Sequence, residues 1–109
     1  EQSYMGIEFI YVLLDTYLQF MMTSEYNLFK TLFEIGFKLG KPAKDNKDKG
    51  LFYELELARN KEEFIKKMSV AFYKYNIKLE DGEENAIMSA TLDQLKAYVL
   101  LGFVKGYLL

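Results

Sequence analysis

After Asn60 the apolar side chains fall at Phe64, Ile65, Met68, Ala71, Phe72 and Tyr75. Steps of three and four residues gather them on one stripe of an α-helix, with Lys66, Lys67 and Lys74 opposite. Asn60 as N-cap and Glu63 three residues on form a capping-box-like start. The pattern predicts a helix over 61–76 that buries one face and turns a cationic face outward.

The rest of the chain follows the same period. Residues 4–22 predict a helix burying Phe9, Ile10, Leu13, Tyr17, Phe20 and Met21. Thr23 or Ser24 then caps a helix over 25–39, with Glu25 in its first turn, where the helix dipole favours an acid. That helix carries Leu28, Phe29, Leu32, Phe33 and Leu39, and Gly40 and Pro42 read as its stop. Residues 40–50, GKPAKDNKDKG, then form a polar loop. LFYELELAR alternates partly like a strand, but with no partner strand elsewhere it is expected to be a short helix. KLEDGEEN reads as an acidic loop, and AIMSA as a short turn or helix. Thr91 and Gln94 repeat the capping-box spacing before a last helix from Leu92 onward. The expectation is all-α: a compact bundle of about five helices in a single domain over 1–109.

Residues 5–22 are apolar enough to suggest a membrane span. Glu8, Asp15 and Gln19 nevertheless fall within about 40° of one another on a helix, and a span would not carry two acids on one stripe. An amphipathic helix and no membrane partner are expected. The first residue is Glu1 rather than Met, as expected of a processed, trimmed or excised chain.

The composition narrows the chemistry. Cysteine and histidine are both absent, which removes disulfides, thiolate nucleophiles, Cys-based zinc sites and the commonest general base. An intracellular, cytoplasmic setting follows as the default. No nucleophile triad, metalloprotease helix or glycine-rich phosphate loop is present. In DNKDKG, Lys47 and Lys49 stand where a calcium loop needs oxygen ligands. The carboxylates at 80–84 lack metal spacing and read as a solvated turn. No enzyme, cofactor or metal site is expected. A small enzyme using Tyr, Asp or Glu is the weakest of the three readings.

Charge is the remaining signal. Residues 30–78 hold 12 of the 14 basic residues and 7 of the 16 acids, so this segment is +5 in a chain of net charge −2. Glu62–Lys66 and Glu63–Lys67 are i,i+4 pairs in the favourable order. Arg59, Lys61, Lys74, Lys78 and the lysines at 41, 44, 47 and 49 have no evident partner. Two readings stay open, a solvated face and contact with a phosphate backbone. A single arginine in the patch argues against base-specific readout. Gly36 and Gly40, and Gly102 and Gly106, recur at successive turns. Glycine costs about 1 kcal/mol inside a helix, so each pair asks for close approach of another backbone, within the chain or from a neighbouring subunit. Gly40 alone also reads as a simple cap.

The stretch LFYELELARNKEEFIKKM, preceded by glycine- and lysine-rich sequence and followed by the tail LLGFVKGYLL, resembles a known family over about residues 34–107. It is similar to the helical C-terminal region of CRISPR type I large subunits and to the separate small subunit of Cascade-type effector complexes. The resemblance implies a non-enzymatic bundle lining a ribonucleoprotein as a filament. Such a subunit touches the backbone subunits, copies of itself, and DNA or RNA backbone without base specificity. By position in the patch it implies nucleic-acid contact through Lys38, Lys41, Lys44, Lys49, Arg59, Lys61, Lys66 and Lys67, to which the outer-face Lys74 adds. The glycine-bearing tail would place Gly102, Phe103 and Gly106 at a subunit interface. Met5 would be an internal start within a large-subunit message. The alternative is a helical protein–protein interaction module that binds no nucleic acid.

Overall fold

The computed structural model describes residues 23–109; the helix expected over 4–22 lies outside them. The described residues form five helices and no strand. α1 spans Thr23–Asp45, α2 Lys49–Glu56, α3 Lys61–Lys74 and α4 Asp81–Ser89. α5 is a continuous run of Leu92–Gln94, a π-helical turn Leu95–Val99, and Leu100–Leu108. The all-α bundle is as the periodicity predicts.

α1 corrects the expected stop. It runs through both Gly40 and Pro42 to Asp45. Pro42 offers no N–H to the Lys38 carbonyl, a loss that ordinarily breaks a helix. Two contacts hold the backbone past it. Gly40 is clamped against α5, and the Asn46 amide donates from its backbone and its side chain to the Pro42 carbonyl (3.0 and 2.7 Å). The helix is closed instead just past Asp45 by Lys47, whose φ of 54° is left-handed. Lys47 N–H bonds the Lys44 carbonyl and Asp48 N–H the Ala43 carbonyl, a Schellman closure. α3 ends the same way at Asn76 (φ 57°), with Ile77 N–H on the Phe72 carbonyl. The expected 40–50 loop therefore shrinks to the few residues between α1 and α2.

The centre of the fold is the α1–α5 seam. The two helices run parallel: Tyr98 meets the Phe29 ring edge-on at 5.2 Å, Gly36 faces Val99 and Phe103, and Gly40 faces Phe103 and Gly106. A Cβ on Gly36 would collide with the Val99 carbonyl oxygen, one on Gly40 with that of Phe103, and one on Gly102 with that of Phe33. One on Gly106 would lie 2.6 Å from the Phe37 oxygen. The glycines are thus spent on backbone-to-backbone packing inside the chain. Gly40 is no cap. Gly102, Phe103 and Gly106 are all buried, so the close approach that their spacing requires is met by α1 rather than by another subunit.

Around the seam, Leu32, Ile35 and Leu39 of α1, Leu55 of α2, Phe64 and Met68 of α3, and Leu95, Val99 and Phe103 of α5 form one buried core. The α3 stripe packs as its spacing predicts, with Phe64, Met68, Ala71 and Phe72 buried. Burying a large apolar side chain is worth roughly 1.5–3 kcal/mol, so this cluster is what sets α2 and α3 against the seam.

The acidic loop is corrected too. Glu80 is the N-cap of α4, and its N–H donates to the Glu83 carboxylate at 3.0 Å. Glu83 is only 6% exposed and takes the Lys38 ammonium on both oxygens, at 2.8 and 3.0 Å. The residues read as a solvated turn therefore hold the described chain's buried carboxylate, which ties α4 to α1.

A candidate nucleic-acid interface at the α1–α2 corner

Asp48 is the hub of the basic region. As N-cap of α2 it accepts the Leu51 N–H at 3.3 Å. Tyr75, at the end of α3, donates its hydroxyl to Asp48 Oδ2 at 2.5 Å, and Lys74 Nζ lies 3.5 Å from the same oxygen. The Tyr75 hydrogen bond, with Lys74 behind it, holds the Asp48 carboxyl below its ordinary value against the opposing effect of burial. Burial first, and the Asp48 carboxylate second, push the Tyr75 phenol up to about 12. One carboxylate thus pins the end of α3 to the junction of α1 and α2.

This anchoring carries Lys74 to the corner where Lys44, Lys47 and Lys49 already stand. Those three are exposed, and among the described residues none forms an ion pair. Lys41, one turn before Lys44, rests over the Phe37 ring at 5.4 Å and is otherwise exposed. Five lysines there face Asp45 and the occupied Asp48. Such a cluster does one thing well: it presents flexible ammonium groups to a polyanion, which fixes position without reading sequence.

The other expected contact residues lie elsewhere. Lys38 turns inward to Glu83. Arg59 is engaged by Glu63, which accepts the Arg59 N–H at 2.7 Å and lies 3.5 Å from its guanidinium. Lys61 donates to the Met88 carbonyl at 2.6 Å and closes the end of α4. Neither Glu62–Lys66 nor Glu63–Lys67 forms an ion pair among the described residues; Glu63 instead reaches back to Arg59 and completes the start of α3. Lys66 and Lys67 stay on the outer face. From Lys61 to Lys74 the α3 axis rises about 20 Å, so the patch divides into a corner group and a group at the α3 start. Arg59, Lys61 and Lys74, expected to lack partners, all have one. Sequence reasoning missed Asp48 and Tyr75. The Asx-type cap at Asp48 was readable before Lys49–Gly50, but its contact with Tyr75 spans 27 residues and was not.

No group of three or more carboxylates converges on a metal-sized site among the described residues. Every buried side-chain nitrogen or oxygen there has a hydrogen-bond partner. No described helix is long and apolar enough to cross a membrane. No protein-family model, curated protein or solved structure matches the chain.

Proposed function

We propose that this chain is a non-enzymatic structural subunit of a nucleoprotein assembly, holding a nucleic-acid backbone at the α1–α2 corner and packing against neighbouring subunits. The CRISPR effector small subunit is the assembly role that the resemblance over 34–107 implies. The observation that carries the reading is the corner itself: Lys44, Lys47 and Lys49 stand exposed and form no ion pair among the described residues, while Asp48 fixes their backbone through Leu51, Tyr75 and Lys74. A surface held that firmly loses little order when a phosphate arrives. The contact set is Lys41, Lys44, Lys47, Lys49 and Lys74. Lys38 contributes through α4 rather than through the ligand.

The test is purification of the chain from cells expressing its native genomic neighbours, with and without nuclease. The reading expects co-purifying nucleic acid that the Lys44→Glu, Lys47→Glu, Lys49→Glu variant fails to retain. Equal retention by that folded variant contradicts it.

A second reading rests on exposed apolar side chains. Leu57 is 73%, Val70 62% and Tyr73 91% exposed. A helical protein-interaction module would use these positions, and its partner would stay bound after nuclease and after the lysine changes.

A further inference from the structure

The basic corner continues into an apolar groove of about 210 Å³ between α2 and the end of α5. Lys49 stands at its rim, and Phe52, Tyr53, Phe103 and Tyr107 supply its walls. Phe103 and Tyr107 stack at 6.0 Å between centroids, Phe52 tilts onto Phe103 at 5.9 Å, and Tyr53 meets Phe52 edge-on. Tyr53 is 56% exposed, so aromatic surface remains open to an incoming flat ring.

We propose that this groove receives one unpaired base of a single-stranded nucleic acid, with the adjoining phosphate on Lys49 and the strand continuing along Lys47 and Lys44. The proposal rests on the reading of the corner as a backbone contact, and adds to it a base-stacking subsite and a preference for single strands. Three observations select this occupant. The volume is below that of pockets for drug-sized ligands and suits a single ring system. The walls are aromatic, and a base has a π-face to offer whatever its identity. The cation at the rim belongs to the same cluster as Lys47, so one ligand must satisfy a stacking surface and a row of ammonium groups together. An apolar side chain from a partner protein would use the walls but not the lysines. The acid on the same helix face, Glu56, lies at the opposite end of α2 from Lys49, about 10 Å along the axis, and the neighbouring Asp48 carboxylate is taken up by Leu51, Tyr75 and Lys74, so the lysines outnumber the acids at the phosphate end.

The experiment is fluorescence anisotropy at low salt with a labelled oligothymidylate of about ten nucleotides. An abasic strand of equal length and the matching duplex serve as competitors. The base-bearing strand should bind about tenfold more tightly than the abasic one, within the range of one stacked base. Tyr53→Ala should erase that preference while leaving abasic binding unchanged, and Tyr53→Phe should restore it. Lys49→Gln should weaken both strands. Equal binding of base-bearing and abasic strands by the wild type, or a preference that survives Tyr53→Ala, overturns the groove and leaves the corner standing. Tighter binding of the duplex than of the single strand also overturns it. No binding of any strand overturns the groove and the corner together.

Discussion

The α1–α5 seam and the α1–α2 corner are built on opposite principles. At the seam, four glycines remove side chains so that two backbones can touch, each glycine facing a backbone carbonyl of the other helix. At the corner, a single carboxylate gathers three donors from α2 and α3, and the charged side chains around it point to water. The seam fixes geometry by leaving no room. The corner fixes its backbone and leaves its lysines free. Additions should therefore ruin the first and merely retune the second, which makes the two regions separable by mutation.

The largest effect belongs to the seam. Gly36→Ala gains about 1 kcal/mol of helix propensity, but its Cβ would enter the Val99 carbonyl oxygen, and backbone can only move apart. Overlap wins, with a net loss on the order of 3 kcal/mol or a failure to fold. A loss of that size lowers the melting temperature by roughly 15 °C in a domain of this length. Gly102→Ala should match it; a variant that melts near the wild type would break the comparison.

Glu83→Ala comes next, at about 2 kcal/mol by thermal or urea unfolding. It removes the α4 cap contact and the Lys38 partner together. The Lys38 side chain retains 31% exposure and can turn to water, which keeps the loss below that of a fully buried pair.

Tyr75→Phe should cost about 1 kcal/mol near neutral pH, because Asp48 loses its closest donor. It also has a pH signature. Asp48 is held below 3.8, so the stability it lends is complete above that value and is lost as pH falls through the lowered pKa. Tyr75 is raised from 10.0 to about 12, so its contribution is complete below pH 10 and is lost as pH rises through about 12. The phenylalanine variant should flatten the alkaline limb and shift the acid limb upward. Unchanged limbs in pH-dependent unfolding would show that Asp48 is no hub.

Lys47→Gly separates stability from charge. The left-handed φ of 54° suits glycine better than lysine, so the variant should gain about 0.5–1 kcal/mol while binding oligonucleotide more weakly. Loss of both, or gain of both, would merge what the comparison holds apart. The smallest effect is at Gly82, where an added Cβ meets nothing within 4 Å. Gly82→Ala, exposed in the first turn of α4, should stabilise by at most about 1 kcal/mol. It is the control for the seam glycines.

Legibility in the sequence tracked how local each signal was. α3 and the start of α5 were readable because stripe and cap lie within a few residues, as at Asn60–Glu63 and Thr91–Gln94. Glu80 and Glu83 share that spacing, but a glycine and neighbouring acids disguised them as a loop. Gly40 misled for a related reason: glycine signals both a left-handed stop and close packing, and only the α5 backbone opposite decides between them. The same holds for Gly102 and Gly106, whose need for a near neighbour was plain and whose neighbour was not. In the basic region, residue type gave the charge, but which lysines point outward depends on Glu83 and Asp48. Those contacts lie 45 and 26 residues away from Lys38 and Lys74, beyond the reach of any periodicity.

Two charge reversals compared in one salt titration test the account most directly. One variant carries Lys44→Glu, Lys47→Glu and Lys49→Glu at the corner; the other carries Arg59→Glu just before α3 and Lys66→Glu and Lys67→Glu on it. For wild type, log K against log salt should fall with a slope of about −2 to −3, as three or four single-strand phosphates require. The corner variant should flatten that slope toward zero, and the α3 variant should leave it close to wild type. Equal slopes in the two variants, or a slope lost only in the α3 variant, would contradict the corner as the place where this fold meets its polyanion.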